Sequence, residues 1–186
     1  MITLIRHGKV LLDEQRRWRA SELRDLIACY DRSSVKPPEM NPVELPEGTV
    51  IMCSDLRRST DSAMLAFNRF DTSDPLFREA ELPDLPALPF RSANVLLALS
   101  RISWSLGRST GCESFSQFRV RCETAASALI DRHHQTGAPI ILVGHGFLNH
   151  YVAKELCRRG WKGPRSPSAR HWAVSVYRPA GGDDLR

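Results

Sequence analysis

Leu4-Ile5-Arg6-His7-Gly8 decides how this chain is read: a short apolar run, residues 2–5, stops at a cation, an imidazole and a glycine. Continuous rather than alternating apolar residues mark a strand covered on both faces, as in parallel sheets. The strand tip then presents a guanidinium that can grip phosphate oxygens in a planar fork, next to a histidine whose neutral ring can attack phosphorus. The positive charge alongside favours that neutral form. Gly8 lets the backbone approach a ligand closely.

Two further apolar runs end in the same manner. Residues 50–53 lead into Ser54-Asp55, and residues 139–143 lead into Gly144-His145-Gly146. A fourth run, 171–177, is rich in valine and aromatics and reads as a late strand. Helical stretches separate them, at 59–70, 92–106, 114–135 and 147–159. In the third, Phe115, Phe118, Cys122, Ala125, Ala126, Leu129 and Ile130 recur at helical spacing, Glu113 or Ser114 begins it, and Gly137 with Pro139 stops it. Ser114 and Gln117 have capping-box spacing. Strands alternating with helices predict an α/β fold, a three-layer α/β/α sandwich on a mostly parallel central sheet, with ligands gathered at the carboxyl edge of the strands.

Pro37, Pro38, Pro42 and Pro46 mark residues 35–48 as loop, and Pro75, Pro83, Pro86 and Pro89 do the same for 71–89. Both belong to loop and helix excursions, at about 9–48 and 71–111, that reach over the site of a single domain spanning 1–186. The Gly181-Gly182-Asp183-Asp184 tail is expected to fray. With 42% hydrophobic and 25% charged residues in 186, the chain supports one globular core without staples. Its formal charge of +5 suits an anionic partner. The five cysteines are scattered without a C-x-x-C pair, which argues against a disulfide framework or a zinc cluster and for a reducing, cytoplasmic setting. No leader peptide and no membrane-spanning run is legible.

The three clusters together resemble the histidine phosphatase superfamily, also called phosphoglycerate mutase-like. Its pattern is an N-terminal R-H-G, a central S-S-x-L-x-R-(A/S)-x-x-(T/S)-A and a late G-H-G. Here these fall at Arg6-His7-Gly8, at Cys53 through Ala63, and at Gly144-His145-Gly146. Cys53 stands for the first serine and Asp55 for the usual proline, which adds a carboxylate near the anion site. The resemblance implies that His7 becomes a phosphohistidine and that Arg6, Arg58 and His145 complete the phosphate pocket, with Ser54 and Gly8 beside it. It implies Glu79 as the acid that protonates the leaving oxygen, with Glu81 as the fallback. Glu113, in Gly111-Cys112-Glu113-Ser114, matches a G-E-S segment of these enzymes and is carried as a substrate contact or a helix cap.

The function so implied is a metal-independent phosphomonoester hydrolase of the histidine acid phosphatase type, using no cofactor. Its substrate is a small phosphorylated molecule or a phosphoprotein. The rivals are a phosphoglycerate-mutase-like phosphotransferase and a phosphate-binding module without turnover. Nucleic acid is not an expected partner: the one basic and aromatic patch, Arg16, Arg17 and Arg19 around Trp18, is too small for appreciable DNA affinity at physiological salt. Arg57 reads as a solvated helix-face cation, His133 and His134 as surface cations at a helix end, His150 as a packing residue, and Trp161, His171 and Trp172 as core or groove aromatics. No G-x-x-x-x-G-K loop is present.

Overall fold

In the computed structural model, residues 1–39, 45–86 and 90–180 are described; the tail at 181–184 and parts of both proline-rich loops fall outside them. In chain order the elements are β1 (Ile2–Arg6), β2 (Arg17–Trp18), α1 (Leu23–Arg32), β3 (Val50–Cys53), α2 (Arg57–Phe67), β4 (Thr72–Ser73), β5 (Arg91–Ser92), α3 (Ala93–Ser105), α4 (Phe115–Thr136), β6 (Ile140–Gly144), α5 (Gly146–Arg158), β7 (Trp161–Lys162) and β8 (Val174–Pro179).

Six strands form one sheet in the order β4-β3-β6-β1-β8-β7. The first four run parallel, β8 lies antiparallel to β1, and β7 antiparallel to β8. The apolar runs are continuous because both faces are covered. Ile2, Leu4, Val50, Met52, Ile140 and Leu142 pack with Leu129 of α4 and Val152 and Leu156 of α5. The alternate residues Ile5, Ile51, Cys53, Ile141 and Val143 pack with Ala63 of α2 on the opposite face. A side-chain period of two therefore assigns each strand residue to one of two helical layers, giving the expected sandwich.

The excursions carry more structure than their prolines suggest. Trp18, Leu23, Leu26, Ala93 and Leu96 bury one another in a separate small core that joins α1 to α3 and the short β2–β5 pair. Arg16 stacks on Trp18 at 3.6 Å, which occupies the basic patch internally. Trp104 fastens α3 to the main body through edge-to-face contacts with Phe115, Phe118 and Phe147, at ring separations of 5.4, 5.4 and 5.7 Å.

Helix ends follow local chemistry. Ser114 and Gln117 form the reciprocal capping box that begins α4, and Gly137 ends it at φ 66°. Two elements differ from expectation by more than one residue. α2 starts two residues early, at Arg57, and stops at Asn68, whose left-handed φ of 56° ends the helix before Phe70. The late strand starts at Val174 rather than 171, because Trp172 sits at φ 61°, outside strand geometry. Among the described residues no helix is long and apolar enough to cross a membrane.

Candidate active site

Because β3, β6 and β1 are adjacent and parallel, their carboxyl ends open at one sheet edge, where a cavity of about 530 Å3 is lined by Arg6, His7, Arg58 and Glu79. The Arg6 and His7 side chains come from the end of β1, Arg58 from the first turn of α2, and Glu79 from the loop after a 3-10 turn at Pro75–Phe77. Tyr30 and Asp31 of α1, Leu97 and Arg101 of α3, and His171 form outer walls.

His7 is 3% exposed. Its Nδ1 lies 2.7 Å from the Gly8 carbonyl oxygen, which can only accept, so Nδ1 carries the proton and Nε2 keeps the lone pair. Burial holds this imidazole well below its usual pKa, helped by the charges of Arg58 and Arg6, while the bond to Gly8 opposes the shift. The ring is thus a neutral nucleophile at physiological pH. Its neighbours are two more imidazoles, His145 at 5.1 Å and His171 at 5.5 Å between centroids.

His145 is wholly buried beneath the wall and does not line the cavity. Arg58 Nε–H donates to its Nδ1 at 3.3 Å, so the neutral ring carries its proton on Nε2 and donates to Ser54 Oγ at 2.6 Å. Burial first, then Arg58, keep it neutral. Arg58 is held from both ends, since its Nη1 pairs with Asp31 of α1 and its guanidinium lies 5.0 Å from the Tyr30 ring. Arg6 donates through Nη1 to the Ala169 carbonyl, and its buried Nε–H has no acceptor among the described residues. Gly146 gives it room: a Cβ there would stand 3.3 Å from the guanidinium carbon.

Glu79 reaches the first turn of α5. Its Oε2 accepts the Phe147 N–H at 2.9 Å, and its Oε1 accepts those of Leu148 at 3.0 Å and Ala80 at 3.1 Å. A carboxylate offers about four lone-pair sites, so one remains, on Oε2. Glu81 also lines the cavity, but its Oε2 accepts the Glu113 N–H at 3.1 Å.

Besides His145, three residues expected at the phosphate are absent from the cavity lining. The hydroxyl of Ser54 is taken by His145. Gly8 is required by packing of another kind, since a Cβ there would meet the Lys36 carbonyl and the Trp172 ring, each at 2.7 Å. Glu113 is absent from the lining, and both its oxygens bind Arg121. Asp55 is ion-paired with Arg78, which offsets the added negative charge. Arg57 does more than face solvent: it pairs with Asp61 and donates to the Arg32 carbonyl at 2.7 Å, tying α2 to the end of α1.

Sequence reasoning passed over Tyr30, Asp31 and Arg101, and read His171 only as a core or groove aromatic. The spacing of Leu23, Leu26, Ile27 and Tyr30 could have revealed α1 and so the first two. Nothing local marks His171, which burial takes down to a pKa of about 4. Among the described residues no group of three or more His, Cys, Asp or Glu is arranged to hold a metal ion.

A sequence profile described as the histidine phosphatase superfamily (branch 1) matches residues 44–184, well over half of the chain, although its span begins beyond Arg6-His7-Gly8. No curated protein sequence matches the chain. Among solved structures, a phosphoglycerate mutase from Bacillus anthracis is similar at TM-score 0.56 and 14% identity, covering 97% of this chain and 89% of its own. The α-ribazole phosphatase of Shigella flexneri is similar at 0.50 and 18%, covering 83% and 78%. A mycobacterial glucosyl-3-phosphoglycerate phosphatase complexed with VO3 is similar at 0.50 and 17%, covering 96% and 98%. At such identities the likeness is one of fold.

Proposed function

The chain belongs to the histidine phosphatase superfamily, and from that premise we propose that it is a cytoplasmic, metal-independent phosphomonoester hydrolase working as one domain through a phosphohistidine on His7. The observation that carries this reading is the committed tautomer of His7: Nδ1–H is bound to Gly8, and the unprotonated Nε2 belongs to a neutral ring on the cavity wall beside two guanidinium groups.

In the first half-reaction Nε2 attacks phosphorus, an N–P bond forms and the ester O–P bond breaks. Negative charge on the equatorial oxygens is met by Arg6 and Arg58, which are in place before the reaction begins. The Arg6 Nε–H is a donor suited to one of those oxygens. His145 acts from beneath, orienting Arg58 through its Nδ1. Glu79, protonated on Oε2, gives its proton to the departing alcohol oxygen. In the second half-reaction Glu79 takes a proton from water, the water oxygen bonds to phosphorus, the N–P bond breaks and phosphate leaves. The alcohol portion lies between α1 and α3, a space that suits a small phosphorylated molecule or an extended phosphoprotein segment.

Incubation with an aryl phosphate in the presence of chelator tests this. Wild-type protein releases phosphate, and His7→Ala loses at least about 10³-fold, on the scale of removing one member of an interdependent catalytic set. Equal release from both proteins would remove His7 from the mechanism. One observation favours a phosphate-binding module: three N–H bonds to Glu79 already suit it as an acceptor. Vanadate binding with no hydrolysis across a substrate panel would select that alternative.

A further inference from the structure

We infer that Glu113 and Arg121 are positioning residues for the Glu79 carboxyl: their ion pair braces the chain segment that carries the acid. The inference rests on Glu79 as proton donor. Residues 78–82 form neither helix nor strand, and the carbonyls of Arg78 and Ala80 take side-chain donors. Arg121 of α4 supplies them from one side, its Nη1 donating to the carbonyls of Leu76 at 3.0 Å and Arg78 at 2.7 Å. Arg101 of α3 supplies them from the other, its Nη2 donating to the Ala80 carbonyl at 2.7 Å. The peptide carbonyls on either side of Glu79 are therefore each held by an arginine.

Glu113 fixes the plane of the Arg121 fork. It accepts from Nε at 3.1 Å and pairs with Nη2, leaving Nη1 to address the two carbonyls. Both side chains are about four-fifths buried, with 20% and 17% exposure. Glu113 is in turn anchored, since its carbonyl accepts from the buried Trp104 indole at 2.6 Å and its N–H donates to Glu81 Oε2. Removing the Glu113 charge leaves a largely buried guanidinium without its acid and free to rotate away from the loop. Lysine cannot replace that fork, because it is a point charge on a flexible stem.

A misplaced acid matters in proportion to how badly the leaving group needs a proton. The test is kcat/KM across phosphomonoesters whose alcohols range from p-nitrophenol to simple alkanols, for wild type, Glu113→Gln, Arg121→Met, Arg121→Lys and the reference Glu79→Gln. The two pair-breaking variants should lose about 10²-fold on alkyl phosphates, the scale of a 1 Å misplacement, and far less on p-nitrophenyl phosphate. Arg121→Lys should fail to restore the alkyl activity. Ser114→Ala, which loosens the start of the same helix, should shift all substrates together if at all.

A loss equal across the series in folded variants would overturn the inference while leaving the His7 chemistry intact. A Glu79→Gln profile parallel to wild type would instead remove Glu79 as the acid. A second readout needs no turnover. Amide exchange at Phe147 and Leu148, the N–H groups that Glu79 accepts, should quicken in Glu113→Gln as it does in Glu79→Gln. Unchanged protection there would equally contradict the brace.

Discussion

At the scale of single residues, the site is governed by imidazoles kept neutral by burial. His7 and His145 lie well below the ordinary histidine pKa, first because the buried ring loses hydration and second because Arg58 stands close. The sign of the pH dependence follows. Below about pH 6.5 the unfolded chain binds protons at these positions that the folded chain refuses, so stability is full above that pH and is lost on acidification. Each fully shifted imidazole contributes a slope of up to about 1.4 kcal/mol per pH unit. Urea midpoints should therefore fall between pH 7 and 5, above the range where Asp55, lowered by Arg78, contributes. A flat or rising midpoint would show that the two rings accept protons in the native state. The sequence made His7 legible because its chemistry sits on three consecutive residues. The packing that also demands a glycine at position 8 was not legible, since the Trp172 ring comes from far along the chain. His171 was not legible, as its place beside His7 is created by the turn at Trp172.

At the scale of elements, the helices that could be read are those whose apolar stripe and end signals agree. α4 has both, and its boundaries fall within a residue of the reading. Ser114→Ala should cost about 1 kcal/mol of unfolding free energy, since one backbone donor of the first turn loses its acceptor and the reciprocal box is broken. Denaturant titration checks this, and a change below a few tenths of a kcal/mol would mean that packing alone sets the helix start. α1 was missed because its stripe is short and flanked by arginine-rich and proline-rich segments, and because it buries itself chiefly against α3 rather than on the sheet. Its partner therefore lies some seventy residues away, beyond any local window.

At the scale of the whole molecule, order along the chain becomes adjacency in the sheet. Pairing of β1 and β3 to opposite sides of β6 sets Arg6-His7, Arg58 and His145 at one edge, though the last is about 140 residues from the first. The succession of strands and helices announced a sandwich, but not which strands would be neighbours, since that depends on long-range pairing. It also could not show that His145 would lie under the wall rather than on it, or that Glu113 would turn to Arg121. The central claim is that this convergence makes Nε2 of His7 a nucleophile. Rapid acid-free quenching during turnover of a phosphomonoester, followed by peptide mass analysis, measures it most directly. The account predicts one phosphoryl group on the peptide containing His7, absent in His7→Ala and accumulating when water attack is slowed. Turnover with that peptide unmodified, or with the phosphoryl group on another residue, would contradict it.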